Sequence, residues 1–183
     1  MLEPVDPIVV NQVIHPFEST QKAIVLPFNL ERNLNFEGLR LCVIPVLIEG
    51  TNGKQSFELL VDTGAETTVL SEDVAHIIGV DLQEGSVRRR GVGGKSPCQR
   101  GMVENIEIVQ KMEVNGEEIE GKISLGRSKV MVGQLSGKFM EYSILGILGA
   151  ETIQEICLMI DYPKKYLEFS KILLTNQIGG VNE

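Results

Sequence analysis

The stretch Leu59-Leu-Val-Asp-Thr-Gly-Ala-Glu-Thr-Thr-Val-Leu70 decides how this chain is read. An apolar segment, Leu59 to Val61, runs directly into an Asp62-Thr63-Gly64 turn, and a second apolar pair, Val69-Leu70, follows. A carboxylate at the end of a buried strand is costly unless it is hydrogen-bonded or put to use. Gly64 lets the backbone turn sharply, so that the turn's amides can reach the Asp62 carboxylate, and Thr63 offers a hydroxyl to tie the loop down. The tripeptide alone is weak evidence, because average residue usage places it in about 4% of chains this long. Its surroundings give it weight.

Upstream, Leu41 to Ile48 is an apolar run and Phe57 to Val61 a second, with Asn52-Gly53 between them. That dipeptide tolerates positive φ at both residues and predicts a tight hairpin. Downstream, Ser71 is placed to cap a short helix with Val74, Ile77 and Ile78 on its apolar face and Gly79 closing it. Val87 to Arg90, Met102 to Val109 and Ile119 to Leu125 read as strands, with Asn115-Gly116 as a further hairpin turn; segments 128–132 and 156–160 add short ones. Ala150 to Glu155 is the second helical stretch. Many short strands with little helix indicate a closed or sandwiched β domain.

Four of the seven prolines, Pro4, Pro7, Pro16 and Pro27, fall at the N-terminal end, where missing amide donors favour an extended arm. Within that arm, Lys22 to Pro27 suits an edge strand. The expected organisation is an arm over 1–38, a folded domain over 39–172 and a tail over 173–183. At 183 residues, with 43% hydrophobic and 23% charged residues, one packed core is feasible.

Composition excludes several classes. A formal charge of −8 repels an extended phosphate backbone, and aromatics at 5% with no tryptophan offer no base-stacking platform, so no nucleic-acid partner is expected. Cys42, Cys98 and Cys157 are odd in number and widely spaced, which fits free thiols in a reducing compartment better than a metal site; no metal or other cofactor is expected. The start, Met1-Leu-Glu-Pro-Val-Asp6, has no basic stretch leading into an apolar one, and the longest apolar run is too short for a bilayer. A cytoplasmic protein without a membrane partner is expected.

Gly91-Val92-Gly93-Gly94 lies between two strand-like segments. Gly94-Lys95-Ser96 has the ending of a phosphate loop, but that loop's first glycine would fall at Arg89, and Pro97 spoils the helix that should follow. The alternatives for these glycines are a plain hairpin tip or a mobile lid whose backbone approaches a ligand closely. Arg88-Arg-Arg90 before them reads as a solvated basic face or as a guide for acidic side chains. His15 and His76 have no recognisable serine or cysteine partner, and there is no Gly-x-Ser-x-Gly elbow.

Asp62-Thr-Gly-Ala-Glu-Thr-Thr-Val-Leu70 closely resembles the active-site stretch of the retropepsins, the retroviral-type aspartic proteases and their cellular relatives. The Ser71 helix, the glycine-rich segment 91–94, and Ile147-Leu-Gly149 leading to Leu158-Met-Ile-Asp-Tyr-Pro163 and Tyr166-Leu-Glu-Phe169 follow in the order that family requires. The similarity covers roughly residues 40 to 170. It implies a mainly β protein, a closed barrel of the retropepsin type with one or two short helices. It also implies an aspartic endopeptidase acting on a peptide or protein substrate.

By that resemblance Asp62, Thr63 and Gly64 form the catalytic turn. Ala65, Glu66 and Thr67, together with flap residues Gly91, Val92, Gly93 and Gly94, contact the substrate. Retroviral members follow their second glycine with an arginine that braces the active-site loop, whereas Gly149 is followed here by Ala150 and Glu151.

The chemistry needs two carboxylates about 3 Å apart that share one proton, and this chain has a single Asp-Thr-Gly. Asp6, Asp73, Asp81 and Asp161 are not followed by Thr-Gly or Ser-Gly. A two-fold homodimer supplies the second Asp62. The rival readings are a catalytically idle peptide-binding module on the same fold, and a domain that assembles partners through its arm and the acidic 113–120 segment.

Overall fold

The computed structural model describes residues 22–29, 34–36, 39–91, 94–114, 117–135, 139, 141–163 and 166–173. Strand β4 (Val43–Gly50) buries Ile44, Val46 and Ile48 at every second position, the period of a strand with one face on a core. It pairs antiparallel with β5 (Gly53–Asp62), which buries Phe57, Leu59, Leu60 and Val61 before ending on Asp62. Pro45 faces outward, just before the β4–β8 pairing that begins at Val46, so its missing amide is not required by that ladder.

Six strands close a barrel. β5 is followed in space by β10 (Gly146–Gly149), then β6 (Thr68–Leu70), β9 (Glu117–Gly133) and β8 (Gly94–Val114), and β8 pairs back onto β4. β7 (Asp81–Gly91) lies outside β8 as the last strand of that sheet. The interior is filled by Ile44, Ile48, Leu59, Leu70, Ile106, Ile108, Ile123 and Leu148, all fully buried. The protein is therefore mainly β and built on a closed barrel, as expected from its sequence.

A second sheet has the order β1 (Lys22–Asn29), β12 (Tyr166–Leu173), β11 (Cys157–Asp161). β12 drives Leu167 and Phe169 fully into the barrel core. β1, which includes the expected Lys22 to Pro27 strand, pairs along its whole length with β12 and forms one edge of the sheet. A short hairpin, β2 (Leu34–Phe36) with β3 (Leu39–Leu41), precedes the barrel.

Helix α1 (Glu72–Ile78) starts at Ser71, whose hydroxyl accepts from the Val74 amide, and stops at Gly79 in the left-handed conformation. Its inward face is Val74, Ala75 and Ile78, while Ile77 is 47% exposed, contrary to the apolar face expected from sequence. A helix of two turns presents one narrow face, and here the small Ala75 takes the inward place. Helix α2 (Ala150–Ile153) is one turn, shorter than the expected 150–155.

The β4–β5 hairpin turns one residue earlier than Asn52-Gly53 predicts. Gly50 pairs with Gly53, so Thr51 and Asn52 make the turn, and of the expected pair only Gly53 has positive φ. The reason is tertiary. The Thr51 and Asn52 amides donate to the Gly79 and Ile78 carbonyls, the Thr51 hydroxyl to Gly79, and the Asn52 side-chain amide to His76. The turn thus satisfies carbonyls that the helix end leaves without partners.

The strands expected at 102–109, 119–125 and 128–132 belong to two long ones. β8 and β9 run antiparallel through irregularities near Val103 and Ile106. Gly126 sits opposite with φ +73, a conformation in which a side chain would be strained, and its amide and the Ser124 hydroxyl both donate to Asn105 Oδ1. The bulge is bonded, so the strand continues. The Asn115-Gly116 turn lies outside the described residues, although Val114 and Glu117 pair on either side of it. No helix among the described residues is long and apolar enough to cross a membrane.

Candidate active site

β5 delivers Asp62 to the end of a parallel pair, where its register partner on β10 is Gly149. The Asp62 side chain is half-buried, and its Oδ1 accepts the Gly64 amide at 2.9 Å, while the Ala65 amide donates to the Asp62 carbonyl at 3.1 Å. These two bonds form the turn that Gly64 was expected to allow. A Cβ at Gly64 would stand 3.2 Å from Asp62 Oδ1, tight enough to press on the carboxylate. Thr63 is exposed, and its hydroxyl makes no hydrogen bond to the described residues.

The remainder of the loop is bonded to the start of α2. Ala150 and Glu151 amides donate to the Ala65 and Glu66 carbonyls, each at 2.8 Å. The first amides of a helix lack partners within it, and here the loop supplies them. Thr68, fully buried, accepts the Gly149 amide at 3.0 Å and shares a 2.6 Å hydrogen bond with the Thr152 hydroxyl. Thr67 donates to Glu151 Oε2 at 3.3 Å, and Glu151 Oε1 lies 3.8 Å from Lys129 Nζ. β10 passes so close to the loop that a Cβ at Gly149 would meet the Thr67 carbonyl carbon at 2.5 Å. Only a glycine fits there.

Of the residues singled out in the sequence, Asp62, Thr63, Gly64, Ala65, Glu66 and Thr67 lie together on this one loop. Gly91 and Gly94 face each other as the last described pair of the β7–β8 hairpin, and Val92 and Gly93 lie outside the described residues. No hydrogen bond joins the described part of that hairpin to the loop at 62–68. Sequence reasoning did not single out Thr68, Glu151 or Thr152. The Thr67-Thr68 pair meets Glu151-Thr152 where the start of β6 lies beside the end of the antiparallel β10, a proximity that becomes visible once β10 is known to lie between β5 and β6.

The model of the aspartyl protease family matches residues 44–152, more than half of the chain. The chain belongs to the aspartyl protease family. No curated protein sequence matches it. Among solved structures it is similar to a retropepsin-like aspartic protease from Rickettsia conorii, at 17% identity and a TM-score of 0.50, over 85% of this chain and 98% of that one. It is also similar to the retroviral protease-like domain of Ddi1 from Leishmania major, at 19% identity and a TM-score of 0.41, over 76% of this chain and 99% of the other. The first of these likenesses concerns the fold, and it agrees with the closed barrel described above.

Proposed function

We propose that this protein is a homodimeric aspartic endopeptidase in which Asp62 of two identical chains forms one catalytic dyad. The observation that carries the reading is the loop itself. Asp62 sits at a strand end with one carboxylate oxygen bound by the Gly64 amide, in a chain that has a single Asp-Thr-Gly. Thr63, exposed and with its hydroxyl unbonded among the described residues, suits a contact across a two-fold axis. One proton is shared by the pair, because two carboxylates at close range do not both ionise. The ionised member takes a proton from a water as that water attacks the scissile carbonyl, and the protonated member donates to the carbonyl oxygen. The titration belongs to the pair as a whole.

The substrate is an extended peptide segment bonded through its main chain, with Ala65, Glu66 and Thr67 below it and the Gly91–Gly94 hairpin as a lid. Three free thiols, Cys157 exposed among them, favour a reducing compartment such as the cytoplasm.

The test is Asp62→Asn, assayed on an unfolded protein or peptide pool between mildly acidic and neutral pH. Hydrolysis should fall by roughly 10³-fold or more, while sedimentation shows the same dimer as the wild type. A variant that cleaves as fast as the wild type removes Asp62 from the chemistry. A strict monomer at the assay concentration removes the dyad. If both proteins bind extended peptides and neither cleaves them, the idle peptide-binding module replaces the enzyme.

A further inference from the structure

We infer that Glu151 is a positioning residue for the active-site loop, holding Thr67 through its hydroxyl while Lys129 steadies the carboxylate. The inference rests on the proposed reading of the loop as the catalytic one, and it specifies what takes the place of the bracing arginine that this chain lacks. Two facts point to position as the role. The Thr67 hydroxyl reaches Glu151 Oε2 at 3.3 Å, across a sequence separation of 84 residues, and the other carboxylate oxygen is 3.8 Å from Lys129 Nζ. Both charged groups are substantially exposed, Glu151 at 41% and Lys129 at 73%, so the pair adds little to global stability.

The neighbouring bonds explain why a small contribution matters here. Ala65 and Glu66 are already tied by their carbonyls to the Ala150 and Glu151 amides, and Thr68 is tied by its hydroxyl to Gly149 and Thr152. Thr67 is the remaining residue between those anchors, and its side-chain tether is the Glu151 carboxylate. Releasing it frees the segment that sets the backbone at Ala65 to Thr67, three residues from Asp62. The acceptor is what the tether needs. Lys129, the more exposed partner, orients that acceptor, and its ammonium group contacts Glu151 and none of the described loop side chains.

The experiment compares wild type, Glu151→Ala, Glu151→Gln, Thr67→Val and the Thr67→Val/Glu151→Ala double variant in the full chain. Two readouts are used: amide hydrogen exchange of the 62–68 segment, and kcat and KM on a peptide that the wild type hydrolyses. Glu151→Ala and Thr67→Val should each speed exchange at Gly64 and Ala65 and lower kcat/KM by roughly three- to tenfold, the size expected for one lost hydrogen bond. The double variant should be no worse than either single one. Glu151→Gln keeps an oxygen that accepts from Thr67 and should recover most of both losses. The unfolding midpoint should not move in any of them.

Loop exchange in Glu151→Ala equal to the wild type overturns the inference. So does a Glu151→Gln variant as impaired as Glu151→Ala, or additive losses in the double variant. A wild type that cleaves no peptide sinks the enzyme reading instead, and the exchange comparison then still decides the tether.

Discussion

The loop at 62–68 and the β7–β8 hairpin are both expected from sequence to touch a peptide, and they are held in opposite ways. Loop carbonyls accept the first amides of α2, Thr68 is buried and doubly bonded, and Gly149 packs against the Thr67 backbone with no room for a methyl group. Beyond the irregularity between Leu82 and Ser86 the hairpin is a paired ribbon whose register runs from Ser86–Gln99 to Gly91–Gly94, tied to β9 at Cys98 and Gln99 and with Arg88, Pro97 and Gln99 exposed on it. Among its described residues, side-chain bonding amounts to the Cys98 thiol donating to the Val87 carbonyl at 3.5 Å. A carboxylate that must meet its twin at a fixed distance needs a frame that does not yield. A lid needs an element whose opening disturbs no core contact. The difference between the two regions suits the homodimeric peptidase proposed above.

The largest effect should come from breaking the rigid side. Gly149→Ala places a Cβ 2.5 Å from backbone that has no flexible side chain to move aside, so the loop and β10 must separate. We expect a destabilisation of about 1–3 kcal/mol by overpacking, measured in urea, together with loss of peptide hydrolysis well beyond what that destabilisation explains. A Gly149→Ala protein as stable and active as the wild type would mean that the frame is softer than described.

A smaller effect is expected on the open side. Gly91→Ala stiffens the last described pair of the ribbon. Its unfolding midpoint should stay within about 0.5 kcal/mol of the wild type, while kcat/KM falls a few-fold. A large stability loss would show that the hairpin belongs to the core, and the contrast would vanish.

The finest probe uses two thiols of similar burial, Cys42 at 4% and Cys98 at 6%. Cys42 lies beside β5, its carbonyl accepting the Val61 amide, whereas Cys98 belongs to the hairpin. Burial pushes the Cys42 thiol up, with a hydrogen bond to Tyr162 pulling partly the other way. The thiolate is the reactive form, so alkylation should proceed in the order Cys157, Cys98, Cys42, the second through local opening and the last through global unfolding. Labelling of Cys42 before Cys98 would reverse the assignment of rigid and mobile regions. A raised folded-state value also fixes the sign of linkage. Stability from Cys42 is complete below the thiol's unfolded value and is lost as pH rises through the folded one, a decline that Cys42→Ala should lack.

Much of the architecture was legible because it is written in short-range patterns. The alternation in β4, the apolar run of β5 ending on Asp62, and the Ser71 and Gly79 ends of α1 are each specified within a few residues. Those patterns also carried the reading of the turn as a carboxylate site. Where the outcome depended on a partner far along the chain, local signals were displaced. The hairpin turn moved from Asn52-Gly53 to Thr51-Asn52 because the end of α1 needed donors. Strands read as separate pieces joined because Asn105 bonds the bulge at Gly126. Ile77 yielded its inward place to Ala75.

From the sequence alone came the expected class of chemistry and the expectation of a second copy, since residue type, turn-forming residues and the number of Asp-Thr-Gly segments are properties of the chain itself. The tertiary structure alone decided how the loop is held. Insertion of β10 between β5 and β6 brings Gly149, Glu151 and Thr152 against Thr67 and Thr68, residues more than 80 positions away. Hydrogen bonds and close packing act over a few ångströms in space, and a linear sequence does not carry that proximity until the strands have paired.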